Sequence, residues 1–199
     1  MPINKPTRRA VFAGLSASAL LPLRAFALTT SAAQSYVQNV IDVFFGILRG
    51  GGSEAHILQA FQREFETYAD VNIIARSVLG PAYRGLNTRQ KRDFNTAYGG
   101  YLARKYGRQM MGYANAEIRI NRVRDAGNKG VLVSSEVRKP GQSPIAMEWQ
   151  VSDRSGQTKL INLIAEGVSM LTSEREEVRN MLAAQGGNVP ALTAYMASH

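Results

Sequence analysis

The chain has 199 residues, 45% of them apolar and 20% charged, which fits one ordinary domain with a real core and excludes a disordered chain. It has no Cys and only two His, His56 and His199, so disulfides, thiol nucleophiles, zinc ribbons, iron–sulfur ligation and three-His metal sites are excluded. The formal charge of +9 is the unusual figure, and it invites partners such as nucleic acid or an anionic membrane surface.

The first 27 residues account for part of that charge. A basic start with Lys5, Arg8 and Arg9 precedes an apolar run from Ala10 to Leu23, and Ala25-Phe26-Ala27 ends it with small-x-small spacing. This pattern predicts an export signal peptide cleaved after Ala27. The run is short for a bilayer span and contains Pro22. Thr7-Arg8-Arg9-Ala10-Val11-Phe12 resembles a twin-arginine signal, which points to a bacterial periplasm. Cleavage removes four basic residues and no acid, so the charge of the mature segment falls to +5. Residues 28–199 are then expected to form one domain.

The first half reads as helix. Ser31–Leu48 carries an apolar stripe through Val37, Val40, Ile41, Phe44, Phe45 and Leu48, ended by Gly50-Gly51-Gly52. Ser53 can cap a second helix bearing Ile57, Phe61, Phe65 and Tyr68, and Asp70 can cap a short helix over Val71–Leu79, stopped by Gly80-Pro81. A long helix is expected from Thr88 to Tyr113. Period-two alternation follows: Ile118 and Ile120; Val131, Val133 and Val137; Ile145, Met147, Trp149 and Val151; then Lys159–Ile164. Short turns between them predict a four-stranded antiparallel meander with one apolar face covered by helices. Ser173-Glu174-Arg175-Glu176 reads as a capping box opening another helix, and Val189–Met196 as a short final one. The fold class is α+β.

The chemistry-bearing residues are sparse. His56 has no ligand or nucleophile spaced to it, Ser169 lacks the G-x-S-x-G elbow, and Gly50–Gly52 is followed by no Lys-Ser/Thr. No acid pair stands out as a dyad, so neither a metal site, a cofactor site nor catalysis is expected. Basic residues cluster at Arg104, Lys105 and Arg108, and at Arg119, Arg122, Arg124, Arg138 and Lys139. In an exported protein these suit solvated faces or anionic surfaces better than nucleic acid, and no nucleic-acid partner is expected. An aromatic helix laid over an antiparallel sheet can be plain core, or it can leave an apolar cavity between the layers.

Three stretches stand out together: Asp70–Gly80 with Tyr83-Arg84, the Gln90/Phe94/Tyr106 pattern, and Ile164-Ala165-Glu166-Gly167-Val168-Ser169-Met170 with Arg175. They resemble the MlaC family of periplasmic phospholipid-carrying proteins, also known as toluene-tolerance or ABC-transporter auxiliary components. Thr158 stands where the family usually has Trp, and Asn162 where it usually has Asp. The resemblance implies an NTF2-like mixed fold with a helical subdomain and an apolar cleft for acyl tails. It also implies phospholipid as ligand, shuttling between an outer-membrane lipoprotein–porin complex and an inner-membrane ABC transporter, and a role in outer-membrane lipid asymmetry. Strand alternation and motif position then nominate Val78, Tyr106, Val133, Met147, Trp149, Val151, Ile161, Leu163 and Val168 as tail contacts. The alternative is an NTF2-like small-molecule sensor or enzyme, which would need a polar dyad inside the cleft.

Overall fold

The computed structural model describes residues 28–199, and the expected leader of residues 1–27 lies outside the described residues. Five helices come first: α1 (Thr30–Gly50), α2 (Glu54–Tyr68), α3 (Val71–Leu79), the single turn α4 (Pro81–Arg84) and α5 (Thr88–Met111). Strands β1 (Glu117–Asp125), β2 (Val131–Arg138), β3 (Ile145–Ser152), β4 (Lys159–Ala165) and β5 (Val168–Ser169) follow, and α6 (Met170–Ala184) and α7 (Val189–Ser198) close the chain.

Local chemistry sets most helix starts. Unpaired amide groups at an N-terminus need an acceptor, and short polar side chains supply it. Ser53 accepts from the His56 amide, Asp70 accepts from the Ile73 amide at 2.9 Å, and Asn87 with Gln90 forms a reciprocal capping box. The predicted cap at Ser173 is corrected: α6 starts earlier, with Ser169 as its N-cap accepting from the Thr172 amide. Ser173 lies inside the helix, where its hydroxyl donates to the Ser169 carbonyl. The Gly80-Pro81 stop is also a start, since Pro81 opens α4.

The sheet has five strands in the order β1-β2-β3-β4-β5, every neighbouring pair antiparallel. The fifth strand corrects the expected four. Ala165 pairs with Val168, so Glu166-Gly167 is a two-residue hairpin loop, and both residues have positive φ, 49° and 78°. That is the backbone a tight primed turn requires.

Two bulges alter the alternation. One falls in β1 between Ile120 and Arg122. The other falls between β3 and β4, where Val151 pairs with Leu160 and Gln150 with Asn162, leaving Ile161 as the extra residue. Leu160 and Leu163 can therefore point to the same face although three positions apart. Asn162 uses both ends of its amide: its oxygen accepts from the Leu171 amide at 3.0 Å, and its nitrogen donates to Gln150 at 3.2 Å and to the Ser169 hydroxyl at 3.0 Å. It thereby ties β4 to the start of α6. A carboxylate at this position could not donate to Gln150.

The helices divide the interior into two clusters. In the first, the stripe of α1 from Ala33 to Leu48 packs with Val131, Val133, Val137, Trp149, Val151 and Leu160 of the sheet. In the second, Ile74, Val78 and Leu79 of α3 and Phe94, Tyr98 and Leu102 of α5 pack with Val178, Leu192 and Met196 of the last two helices. Each fully buried side chain of this size contributes about 1.5–3 kcal/mol. Polar ties fix the orientation. The Trp149 indole donates to the buried Ser135 hydroxyl at 2.9 Å, Arg49 donates to the carbonyls of Ala114 and Ala116, and Arg175 donates to the Ser77 carbonyl.

Gly130 enters β2 at φ +86°, and a Cβ there would stand 2.1 Å from the Val151 carbonyl oxygen. The obstructing atom is backbone in the neighbouring strand, so it cannot give way as a side chain would. Gly130→Ala is expected to lower the unfolding free energy by about 3 kcal/mol or more, read from urea unfolding curves.

Candidate functional site

Between the inner face of the sheet and helices α1, α2 and α5 lies a cleft of about 240 Å³. Val40, Ile41, Phe44 and Phe45 of α1 and Phe61 and Phe65 of α2 form one wall. Tyr106, Gln109 and Met110 of α5, followed by Tyr113, form the second; Ile118, Val137, Ile145, Met147, Trp149, Leu160 and Leu163 of the sheet form the third, and Met170 at the start of α6 completes the lining. The α1 and sheet residues Val40, Phe44, Phe45 and Trp149 are buried, whereas Met110, Tyr113, Ile118, Ile145, Met147 and Met170 are half-buried. Phe65, Tyr106 and Leu163 are half-buried as well, and Gln109 is exposed.

The lining contains no carboxylate, imidazole, ammonium or guanidinium. Its polar atoms are few: the Gln109 amide, the hydroxyls of Tyr106 and Tyr113, and an indole N–H already spent on Ser135. Such a surface can take hydrocarbon out of water. Among the described residues no group of three His, Cys, Asp or Glu could hold a metal ion, and no helix is long and apolar enough to cross a membrane. Three of the half-buried lining residues are Met, whose unbranched side chains repack around ligands of irregular shape.

The nine nominated residues separate on this geometry. Tyr106, Met147, Trp149 and Leu163 line the cleft. Val133 and Val151 are fully buried in the core between α1 and the sheet, and Val78 is buried in the second cluster against α6. Ile161 is displaced from the alternation by the β3–β4 bulge, and Val168, on the two-residue β5, is 57% exposed. These five do not line the cleft. What alternation missed is the helical wall: the stripes of α1 and α2 are plain in the sequence, but nothing in a stripe says whether it meets a filled layer or a hollow.

Behind Tyr106 a polar network joins α5 to α6. Glu174, 3% exposed, accepts from the Tyr106 hydroxyl at 2.5 Å, the Lys105 ammonium at 2.6 Å and the Tyr98 hydroxyl at 3.3 Å. Glu177 accepts from the Tyr101 hydroxyl at 2.5 Å and also from Lys105. Burial, reinforced by the neighbouring carboxylates, pushes all three tyrosines above the ordinary phenol range. Burial opposes charge on Lys105, but the bonds to Glu174 and Glu177 outweigh it and its pKa rises. Burial likewise opposes charge on Glu177, yet the donors Lys105 and Tyr101 hold its carboxyl below the usual value. Every buried polar side-chain atom among the described residues has a hydrogen-bond partner.

The basic residues on the sheet surface are largely paired. Arg119 meets Glu117 at 2.8 Å, Arg138 meets Glu136 at 2.6 Å and Arg124 meets Glu148 at 3.9 Å. Exposed pairs of this kind contribute about 0–1 kcal/mol each. Arg104 is structural, donating to the Met196 carbonyl near the end of α7 at 2.7 Å.

Helices folded over an antiparallel sheet, with an uncharged cleft between them, define an α+β domain of the hydrophobic-cleft class. The sequence profile of the family described as "MlaC protein" matches residues 38–198, and the chain belongs to the MlaC family. It is 24% identical over 123 residues to the intermembrane phospholipid transport system binding protein MlaC of Haemophilus influenzae. That alignment covers 60% of this chain and 58% of the relative, a little over half the relative's length. Among solved structures it is similar to a phospholipid-binding protein from Ralstonia solanacearum, determined in complex with a phospholipid. The two share 17% identity with a TM-score of 0.70, over 83% of this chain and 95% of that one. The likeness shows the fold.

The depressed Glu177 carboxyl gives a sign to the pH dependence. A carboxylate held below its unfolded value contributes stability above that value and loses it as pH falls through the lower one. Thermal unfolding midpoints are expected to fall as pH drops below the ordinary carboxylate range, and Glu177→Gln is expected to flatten that part of the profile.

Proposed function

We propose that this protein is a periplasmic phospholipid-binding transport protein that holds acyl tails in the cleft and carries lipid between the outer and inner membranes. The observation that carries this reading is the cleft itself: eighteen lining residues with no charged side chain among them. Membership of the MlaC family and the fold shared with a phospholipid-bound structure support it. The leader expected over residues 1–27 supports the compartment. On this reading the partners are an outer-membrane lipoprotein–porin complex and an inner-membrane ABC transporter, and the process served is outer-membrane lipid asymmetry, with toluene tolerance as one consequence. Tyr106, Met147, Trp149 and Leu163 are the tail contacts among the nominated residues.

Energetics favour a carrier without chemistry. Two tails have on the order of 30 methylenes, and burying them from water is worth roughly 24 kcal/mol at about 0.8 kcal/mol each. That exceeds the ceiling of about 18–21 kcal/mol for non-covalent affinity, so the relevant competitor is the bilayer, where the tails are already dry. Transfer between membrane and cleft can then lie close to balance. The cleft of about 240 Å³ compares with an engineered apolar cavity of about 150 Å³ that holds one benzene. Two full tails therefore require its walls to part, which the rim methionines Met110, Met147 and Met170 make easier.

Protein purified from cells under gentle conditions is expected to carry phospholipid, visible by native mass spectrometry as added mass released by organic extraction. The bare polypeptide mass alone would sink the reading. A charge placed on the half-buried rim separates ligand from core: Met147→Glu is expected to reduce retained lipid at least about tenfold while costing less than about 1.5 kcal/mol of stability. Equal losses in lipid retention and in urea stability would mark Met147 as ordinary core.

A further inference from the structure

Phe65 and Tyr106 line the cleft and also pack against the second hydrophobic cluster, so they stand in the partition between the two. Along α5 the cleft contacts begin at Tyr106 and continue through Gln109 and Met110 to Tyr113. One turn before Tyr106, Leu102 already belongs to the second cluster. Tyr106 is therefore where the cleft stops. An aromatic ring at such a place could swing between staggered rotamers, and what ties it down is the bond from its hydroxyl to the buried Glu174 carboxylate at 2.5 Å. Lys105 and Tyr98 donate to the same side chain, so three donors hold the group behind the ring in place.

We propose that Glu174 is a positioning residue which, through Tyr106, fixes the depth of the cleft and so the length of acyl chain the protein accepts. This rests on the phospholipid-binding reading above. A tail longer than the cleft leaves methylenes without a dry place, and each excess methylene lowers occupancy about fourfold relative to the bilayer. Phe65 packs in the same partition without any polar tie, so the hydroxyl of Tyr106 is the adjustable part.

The test loads the protein from vesicles holding equal amounts of short-chain and long-chain phosphatidylglycerol, and reads the bound species by native mass spectrometry. Tyr106→Phe, which keeps the ring and loses the tie, and Glu174→Gln are compared with the wild type. Tyr101→Phe is the control, because its hydroxyl bonds Glu177 and its ring lies outside the cleft lining. The expected result is a rise in the long-to-short ratio of about fourfold for each methylene of room gained, in Tyr106→Phe and Glu174→Gln but not in Tyr101→Phe. If Glu174→Gln does not fold, the milder Tyr106→Phe decides. An unchanged ratio in Tyr106→Phe, whether total lipid falls or holds, overturns the positioning role and leaves lipid binding intact. A shift of the same size in Tyr101→Phe overturns it too. A wild-type protein that takes up neither lipid overturns both this inference and the reading on which it rests.

Discussion

Helix α5 is 24 residues long, about 36 Å at 1.5 Å per residue, and it contributes side chains to both hydrophobic clusters. Phe94, Tyr98 and Leu102 are committed to the packing against α3, α6 and α7, while Ala103 and Met110 belong with α1 and the sheet. A rigid rod shared by two cores fixes how they sit against each other. The C-terminal half of α5 then forms a wall beside the sheet, and a wall placed by packing elsewhere need not close onto what it faces. The cleft is a consequence of that arrangement: α1 covers the β1–β2 side of the sheet, and α5 stands off from it.

The boundary between the filled and hollow parts of the interior is polar. Glu174, Lys105 and Glu177 with three tyrosines occupy the α5–α6 junction, and each carboxylate there is satisfied by two or three donors. Such a network is costly if any member is left unpaired and directional when complete. It fixes side chains to within hydrogen-bond geometry, where apolar contact alone would tolerate sliding. The cleft combines opposite properties: near its mouth it has flexible methionines and no directional bonds, and at its end it has an aromatic ring tied by a hydrogen bond to Glu174.

Much of this was legible in the residues. The switch from a 3.6 to a 2 period after the long helix, the caps at Ser53 and Asp70, and the inward run Val131, Val133, Val137 are local signals with local causes, and the structure has them where the sequence puts them. The errors are local too. Glu166-Gly167 lies inside a family-like motif and is also a hairpin turn, which makes β5 hard to see in the sequence; Ser173 has the capping-box pattern with Glu176, whereas Ser169, four residues earlier, is the N-cap. For the cleft, strict alternation along β4 put Ile161 and Leu163 on one face, whereas a single extra residue at the bulge gives that face to Leu160 and Leu163.

Composition by itself excluded disulfides, thiol nucleophiles and three-His metal sites, and periodicity determined which faces of its helices and strands are apolar. Those properties belong to single residues and their neighbours along the chain. Only the tertiary structure decided which of those apolar faces meet and fill each other and which leave space. Val133, Val151 and Val78 are as apolar as Met147 and Leu163, yet the first three are packed on every side and the last two border the cleft. Hydrophobicity drives a side chain out of water without specifying what it will touch; that depends on where a 24-residue helix, fixed by contacts in another core, comes to rest above the sheet.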